Sequence, residues 1–544
     1  MPSAATPDPD AVTPFSKVPV EVLLRISSHL TTPELGNLRL TCKSIEQSMF
    51  NTFMREFFTK RQFMLTEDSL QALVDISKSR LSDCLDHVII GLNYFQIQPF
   101  RPHHTAEQNA YRKAYADHRT LVSSGQDVVM LTEAFQNLKN LKTVGIRDYH
   151  SRERAGRDGP GATWASYGAT TIQKETGIDL MSPMHSEHAQ EYANKVMITL
   201  FTALGNAGAR PSTFEMLRRQ QRVPDDDAFN LFTKYLKPKV LPVLEGIKTL
   251  ILVVNAAIGP TRTVSIPGKP NGQDTSHDYL LRQFLGYMTN LEHLRLNFYN
   301  GRGSAEKLLN WLATPAPKAP SAPHPANTTT GLLAPPPPPV FPYLRELNLG
   351  FCDLNHKDLV QVVRKFAPTL KSLELYRVTL ANQPVHTNAV DQSDQSARYK
   401  VNLWSKMLKS LCEIPGLDLE HIMIGLPNQR SFKAPGSYMV NSHVWFHPKD
   451  APDKKLTMES YTGIDWKHYV GALTTRIKMD TPPETDEEEE DDEDDDDEMY
   501  DSGPDEDEEF MMMHGYYPDE VIDAFDELED MLMIDTYGID PMMF

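Results

Sequence analysis

Apolar positions near the start of the chain recur with the spacing of three short helices. Pro19 suits the first turn of the first helix, because its missing amide hydrogen is not needed there. Thr32 can cap the second helix, with Pro33 at its first position. The apolar faces of the three helices then carry Val22, Leu23, Ile26 and Leu30; Leu35, Leu38 and Cys42; and Ile45, Met49, Phe53 and Phe57.

This three-helix segment holds more apolar side chains than it can bury alone. A unit of about 45 residues buries too little surface for independent stability and usually gains stability from a partner. We therefore expect one flank of the first two helices to be covered by another polypeptide.

Farther along, the leucines follow the pattern of leucine-rich repeats, L-x-x-L-x-L-x-x-[N/C]-x-L. Two copies carry the full ending, and looser copies start at Leu85, Leu141, Ile247, Leu291 and Leu419. The spacing between most copies exceeds one period, so helices or insertions must intervene. The alternative is an α/β domain with ordinary buried strands. The two full copies are Leu344, Leu347, Leu349, Cys352 and Leu354, and Leu370, Leu373, Leu375, Val378 and Leu380.

In a repeat array the parallel strands line one wall, which is the usual binding surface. Side chains alternate along a strand, so leucines point inward and their neighbours point outward. Ile89, Ile251 and Val253 break this alternation, which indicates strands covered on both faces. The outward residues that we predict to bind a protein target are His293, Arg295, Asn297, Asn348, Glu374 and Tyr376.

Charge divides the chain of 544 residues, whose net charge is −20, into two parts. No Lys or Arg follows Lys478, and Asp486–Glu498 are all acidic. Such a run repels itself and buries no apolar area, so the tail is predicted to be disordered. The preceding part is mildly basic, with a thin spread of charge that does not indicate nucleic-acid binding.

Catalytic and metal-binding motifs are missing from the sequence. It contains no Walker A, HExxH or GxSxG pattern. The four cysteines lie far apart, which excludes a disulfide scaffold and a CxxC site. No apolar run is long enough to cross a membrane, and the first residues do not resemble a signal peptide. We expect no catalytic residue, no cofactor and no metal site.

The first helices resemble the F-box. Val18-Pro19-x-Glu21, Val22-Leu23, Ile26, Leu30, Leu35, Leu38 and Cys42-Lys43 follow that family's pattern in register. Three departures are mild: Val18 for the usual Leu, Thr41 for the usual Val, and Ile45 where an aromatic residue is common. The following stretch, FMREFFTKRQFMLTEDSLQALVDISKS, is similar to the continuation in filamentous-fungal F-box proteins.

The resemblance implies docking on the adaptor subunit of an SCF-type cullin–RING ubiquitin ligase, and through it contact with the cullin and RING subunits. It implies no activity of the chain's own, only a receptor role. The residues that it places at the adaptor are Pro19, Val22, Leu23, Ile26, Leu30, Leu35, Leu38, Cys42 and Lys43.

The sequence thus predicts an α/β protein in which a three-helix F-box precedes an irregular leucine-rich-repeat-like solenoid and an acidic tail. Its function would be substrate recognition for ubiquitination, in the cytoplasm, the nucleus or both. The alternative is a non-ligase nuclear protein whose tail binds basic partners such as histones. The predicted segments are a leader (1–14), the F-box (15–62), the repeat-like domain (63–478) with insertions at about 150–190 and 301–340, the acidic tail (479–515) and a final amphipathic helix (516–544).

Overall fold

The computed structural model groups the chain into two compact units. Unit 1 comprises Met1–Ser182 with Asn206–Pro211, and unit 2 comprises Pro183–Gly205 with Ser212–Phe544. The residues that the structure describes are 18–96, 105–151, 155–159, 162–181, 187–218, 224–254, 278–301, 304–315, 336–381, 401–432, 439–448 and 454–480. The predicted leader, the acidic run and the final helix lie outside them.

Unit 1 alternates helices with short strands. The elements are α1 (Val20–Ser27), α2 (Thr32–Leu40), α3 (Lys43–Phe58), β1 (Lys60–Phe63), α4 (Glu67–Ser77), β2 (His87–Gly91), α5 (Ala106–Ser124), α6 (Gln126–Asn137), β3 (Thr143–Arg147), α7 (Ala155–Asp158) and α8 (Ala169–Thr176).

The strands of unit 1 run parallel in chain order, with β1 paired to β2 and β2 to β3. Every residue of β2 and β3 is buried. Parallel strands covered on both faces lack the apolar–polar alternation of a half-exposed sheet. This is why Ile89 breaks the alternation, and the two-sided cover that the sequence indicated there is observed.

Unit 2 contains most of α9 and the remaining described elements. They are α9 (Glu187–Ala207), β4 (Thr213–Leu217), a short 3-10 helix (Asp226–Phe229), α10 (Lys237–Gly246), β5 (Thr249–Val254), α11 (Tyr279–Gly286), β6 (His293–Gly301), α12 (Ser304–Ala313), β7 (Glu346–Asn355), α13 (His356–Phe366), β8 (Ser372–Ala381), α14 (Leu403–Cys412), β9 (His421–Gly425), β10 (Asn428–Phe432), β11 (Met439–Phe446), β12 (Met458–Thr462), α15 (Trp466–Arg476) and β13 (Ile477–Met479).

The strands from β4 to β9 pair in parallel and in chain order. At the far side, β12 adds to β9 in antiparallel direction, and β10 extends the far end of β8. Strands β11 and β13 complete this end in antiparallel pairs. Strand β13 extends to Met479, one residue into the segment that we predicted as tail.

The repeated leucines lie side by side across unit 2. Neighbouring strands align their leucines in register, and these side chains are almost fully buried. This alignment gives the parallel strands a continuous apolar face. The two rows are Leu250, Leu294, Leu347, Leu373 and Ile422, and Leu252, Leu296, Leu349, Leu375 and Ile424.

Both predicted insertions contain ordered, packed parts. The insertion at 301–340 ends in a run of five prolines at 335–339. Helix α12 precedes the described part of this run, in which Pro336 and Pro339 are buried. The indole Nε1 of Trp311 donates to the carbonyl oxygen of Pro336 at 2.8 Å. A polyproline helix has three residues per turn, so burial of every third proline seats one side of it on the body. This end of the run is therefore a packed segment and not a free spacer.

Alanine substitutions at two glycines of unit 2, one crowded and one in open space, test how closely the unit is packed. A Cβ on Gly425 would lie 2.6 Å from Cδ2 of the Tyr376 ring, whereas Gly471 in α15 has open space around it. We expect Gly425→Ala to lower the free energy of unfolding by about 1–3 kcal/mol, because an added methyl group overpacks the site. Gly471→Ala should leave it unchanged or raise it by up to about 1 kcal/mol. Urea unfolding measures both; equal effects would contradict the close packing at Gly425.

Candidate functional site

Helix α1 has an inner and an outer apolar face. Pro19 precedes it in extended conformation, and Glu21 lies in the first turn, where the helix dipole favours a negative charge. On the inner face Leu23 is 3% exposed, and Ser27 is buried with its hydroxyl bonded to the carbonyl of Leu24 at 2.7 Å. The inner face therefore belongs to the core of unit 1.

The outer face of α1 leaves apolar side chains in solvent. Val22 is 47% exposed and Ile26 is 37% exposed, and Pro19 is exposed beside them. These three residues, spaced i, i+3 and i+7, form one stripe, which we call the docking stripe. Val20 and Leu40 add further exposed apolar surface. Exposed apolar side chains grouped in this way are typical of interaction surfaces.

A capping box at Thr31 begins helix α2, so the cap lies one residue before Thr32, where the sequence predicted it. The backbone amide and the hydroxyl of Thr31 both donate to Oε2 of Glu34, at 2.9 and 2.8 Å. These hydrogen bonds lower the pKa of Glu34, because they favour the ionised form. Leu35 then packs with Ile45 and Met49 in a common core.

The residues that we predicted to contact the adaptor are buried, half-buried or exposed in the structure. Leu23 and Leu35 are 3% and 2% exposed, so their side chains contribute to the core of unit 1 and not to an accessible surface. Leu30 and Leu38 are half-buried against the same core. The exposed members are Pro19, Val22, Ile26, Cys42 and Lys43.

Comparison with known proteins assigns this helical segment. A protein-family model described as F-box-like matches residues 15–59. Residues 15–59 form an F-box-like domain. No curated protein matches the chain. The three helices α1, α2 and α3 account for the matched segment, and the docking stripe lies on the first of them.

Polar residues occupy the face of unit 2 that alternates with the buried leucines. Arg295, Asn348 and Glu374 are register partners on three adjacent strands. The next row, one pleat along, aligns Asn297, Gly350 and Tyr376. We call this surface the polar face. It brings together all six residues that we predicted as target-binding, but the structure buries four of them to 5–7% exposure and leaves only two partly exposed. The buried residues are Arg295, Asn297, Asn348 and Tyr376, and the partly exposed ones are His293 and Glu374.

Glu374 is the centre of the polar face. Nη2 of Arg295 donates to Oε2 of Glu374 at 2.6 Å, and Nδ2 of Asn348 donates to the same oxygen. Nε2 of His421 lies 3.7 Å from the other carboxylate oxygen. Arg295 is only 6% exposed, so this ion pair is largely withdrawn from water. Together with the hydrogen bond from Asn348, the pair links the three strands β6, β7 and β8, which fixes the register of the polar face.

His293 is a second titratable group of the polar face, and its surroundings shift its pKa. Burial lowers its pKa to about 3, and the nearby positive charge of Arg295 acts in the same direction. Its Nδ1 lies 3.4 Å from Oε2 of Glu346, whose side chain is half exposed. Water screens that carboxylate, so burial prevails and His293 stays neutral at physiological pH.

Three bulky residues adopt left-handed backbone conformation at the end of the polar face. Phe351, Arg377 and Leu426 have φ of 56°, 51° and 47°. They directly follow the aligned residues Gly350, Tyr376 and Gly425. This conformation costs a non-glycine residue about 1–3 kcal/mol and is common at functional sites. Sequence analysis missed these residues, because no residue type identifies a bulky side chain with positive φ.

Two of these strained residues belong to a small apolar cluster on the polar face. Phe351 and Leu426, both partly exposed, pack against Tyr376 and Met423. The rings of Phe351 and Tyr376 meet edge to face with centroids 6.0 Å apart, and the guanidinium of Arg377 lies 5.7 Å from the Phe351 ring. The cluster gives the polar face an apolar anchor beside its charges.

The described residues give little support for metal binding, membrane insertion or a reactive thiol. They contain no group of three or more His, Cys, Asp or Glu side chains placed to hold a metal ion. None of their helices is both long and apolar enough to span a bilayer. Burial raises the pKa of the Cys352 thiol, which keeps it protonated and unreactive.

The depressed pKa of His293 makes stability depend on pH. The folded state resists protonation down to about pH 3, whereas the unfolded chain takes up a proton below about pH 6.5. Above pH 6.5, His293 is neutral in both states and does not change the free energy of unfolding. Below pH 6.5, the unfolded chain gains a proton that the folded state does not, so the free energy of unfolding falls as the pH decreases. From pH 7 to pH 5 we expect His293 to remove about 1–2 kcal/mol from the free energy of unfolding.

Urea unfolding of His293→Gln at pH 7, 6 and 5 measures this effect. The variant should lose about 1–2 kcal/mol less than the wild type over that range, since glutamine takes up no proton. His468→Gln, at an exposed position of α15, is the matched control. Parallel pH profiles for wild type and His293→Gln would contradict the assignment.

Proposed function

We propose that this protein is the substrate-recognition subunit of an SCF-type cullin–RING ubiquitin ligase. The observation that carries the proposal is the docking stripe on the F-box-like domain. Three helices whose core is already filled by Leu23, Leu35 and Met49 still hold Val22 and Ile26 in solvent. Such surplus apolar surface is stabilised by a partner, and the ligase adaptor is the partner that the F-box implies.

The adaptor would be contacted by the exposed and half-buried residues of the first two helices. Pro19, Val22 and Ile26 supply apolar anchors, and truncation of such an anchor costs about 2 kcal/mol or more. Leu23 and Leu35 would act from the core by holding the helices in place. At the periphery lie Leu30, Leu38, Cys42 and Lys43.

The polar face of unit 2 would hold the protein target. Parallel strands in chain order, with aligned leucines on the opposite face, support a leucine-rich-repeat-like solenoid. Interfaces combine buried apolar anchors with polar residues that set specificity. The cluster around Phe351 would supply the apolar anchors, and Arg295, Asn348 and Glu374 would supply the polar residues that set specificity.

In this function the protein needs no active site of its own. It would bring the target's lysines near the conjugating enzyme through the adaptor, cullin and RING subunits, and thereby raise their effective concentration. Such a receptor would work in the cytoplasm, the nucleus or both. A pull-down in which basic proteins are captured through the tail, with no adaptor, would instead support the non-ligase nuclear function.

A double substitution tests adaptor docking. We expect Val22→Asp with Ile26→Asp to weaken binding of the purified protein to the ligase adaptor at least 100-fold, because two anchors of about 2 kcal/mol each are lost. Both side chains are exposed, so thermal unfolding should stay unchanged. Calorimetry with recombinant adaptor gives the affinity.

Val129→Asp is the control, since this α6 residue is 55% exposed outside the docking stripe. Leu23→Asp should differ from both by unfolding the domain, because Leu23 is buried. Wild-type affinity in the Val22→Asp with Ile26→Asp variant would disprove docking through this stripe.

A second substitution tests target recognition. We expect Phe351→Gly with Leu426→Gly to reduce the recovery of target proteins while the fold and adaptor binding persist. Glycine removes two partly exposed apolar side chains and adopts positive φ without strain. Quantitative mass spectrometry of copurifying proteins, with the proteasome blocked, compares this variant with the wild type and with the Val22→Asp with Ile26→Asp variant.

True targets should still copurify with the Val22→Asp with Ile26→Asp variant, which has lost adaptor binding, and should disappear with the glycine variant. Gly471→Ala, in open space on α15, is the control for a neutral change in unit 2. An unchanged set of copurifying proteins in the glycine variant would place target binding elsewhere.

A further inference from the structure

The turn between α1 and α2 receives two side chains from a distant part of unit 1. Arg157 and Asp158 lie at the end of α7, more than 120 residues farther along the chain. We propose that these two residues form a clasp that fixes the docking stripe, and that they are positioning residues for adaptor binding. The second half of this inference rests on the proposed function, whereas the first half concerns the fold of unit 1 alone.

Arg157 binds the end of α1. Its Nη1 donates to the carbonyl oxygens of Ser27, the last residue of α1, and of Leu30 in the turn that follows, each at 2.7 Å. The last carbonyls of a helix have no partner within the helix, and the negative end of the helix dipole favours a cation there. Nε of the same guanidinium donates to Oε1 of Glu56 on α3. One side chain therefore ties α1 to α3.

Asp158 binds the start of α2. Its Oδ1 accepts a hydrogen bond from the backbone amide of Thr32 at 2.6 Å. The first amides of a helix lack partners within the helix, and the positive end of the dipole favours a carboxylate. Consecutive residues of opposite charge thus satisfy the end of one helix and the start of the next. The cation of Arg157 faces the negative end of the α1 dipole, and the carboxylate of Asp158 faces the positive end of the α2 dipole. The reverse order would place each charge against a helix end of the same sign.

The segment after the clasp is anchored in the rest of unit 1. Trp164 pairs with Ser151 by backbone hydrogen bonds of 2.6 and 3.2 Å, and its ring packs against Phe57 with centroids 6.1 Å apart. The hydroxyl of Ser166 donates to Oδ1 of Asn93 at 2.6 Å and accepts from Nε2 of Gln62 at 3.0 Å. The same segment therefore contacts both the F-box-like helices and the strands.

These contacts give the clasp a role in docking. Val22 and Ile26 lie on α1, whose far end Arg157 holds, so the clasp orders the helix that carries the docking stripe. A short helix at the edge of a small unit frays when its terminal groups lose their partners. Ordering it beforehand removes a conformational cost that adaptor binding would otherwise bear.

Hydrogen exchange and binding of the full chain test the clasp. In Arg157→Ala with Asp158→Ala, we expect amides of residues 20–34 to exchange at least 10-fold faster without adaptor, while those of α5 and α6 keep their rates. Adaptor affinity should fall about 5- to 20-fold, although no residue of the docking stripe has changed. Arg210→Ala, at an exposed arginine of unit 1, is the control and should alter neither measurement.

Milder variants keep the test decisive if the double variant fails to fold. Arg157→Gln removes the charge, whereas Arg157→Lys retains a cation and should restore affinity in part. Unchanged exchange in residues 20–34 would overturn the clasp. Faster exchange with unchanged affinity would overturn its positioning role. If the wild type binds no adaptor, the proposed function fails, and the exchange data still decide whether the clasp exists.

Discussion

The architecture of unit 1 depends on one constraint: three short helices cannot bury all their apolar side chains against each other. Part of the excess is covered within the chain, where Trp164 packs on Phe57 and Leu30 packs on the common core. The docking stripe remains uncovered. Because apolar area in water costs about 25 cal/mol per Å² relative to burial, the uncovered part is where association gains most. If the proposed function holds, the stability of unit 1 and the binding of the adaptor would both depend on apolar side chains of the same small domain.

The sheet of unit 2 follows from a different regularity, the alternation of side chains along parallel strands. Leucines aligned on one face force the intervening residues onto the other, and this places Arg295, Asn348 and Glu374 side by side. A buried ion pair contributes little net stability, because desolvation offsets much of the attraction. Its effect here is geometric, since one carboxylate accepts from side chains of two neighbouring strands and admits only one register.

Much of this arrangement was predictable from the sequence, and the exceptions have physical causes. Period-two spacing predicted that the strand leucines are buried, but it did not predict that Arg295, Asn348 and other residues between them are buried as well. Spacing of i, i+3 and i+7 predicted the three F-box-like helices. The spacing of apolar residues does not show which of them face the core and which face solvent. Leu23 and Ile26 were therefore both predicted to contact the adaptor, although Leu23 is buried and only Ile26 is exposed. Nor could it reveal Arg157, because contacts across 127 residues follow from tertiary packing. The positive φ of Phe351 has no signature in residue type.

The burial of the polar face constrains how it could recognise a target. The carboxylate of Glu374 already accepts hydrogen bonds from Arg295 and Asn348, so a target that displaced them would have to replace those bonds at full desolvation cost. Affinity must then come mainly from partly exposed apolar groups such as Phe351 and Leu426, as in most interfaces with a few dominant anchors. The charged centre would act chiefly by rejecting targets that bury an uncompensated charge against it. Specificity and affinity would thus reside in adjacent but different residues of the same surface.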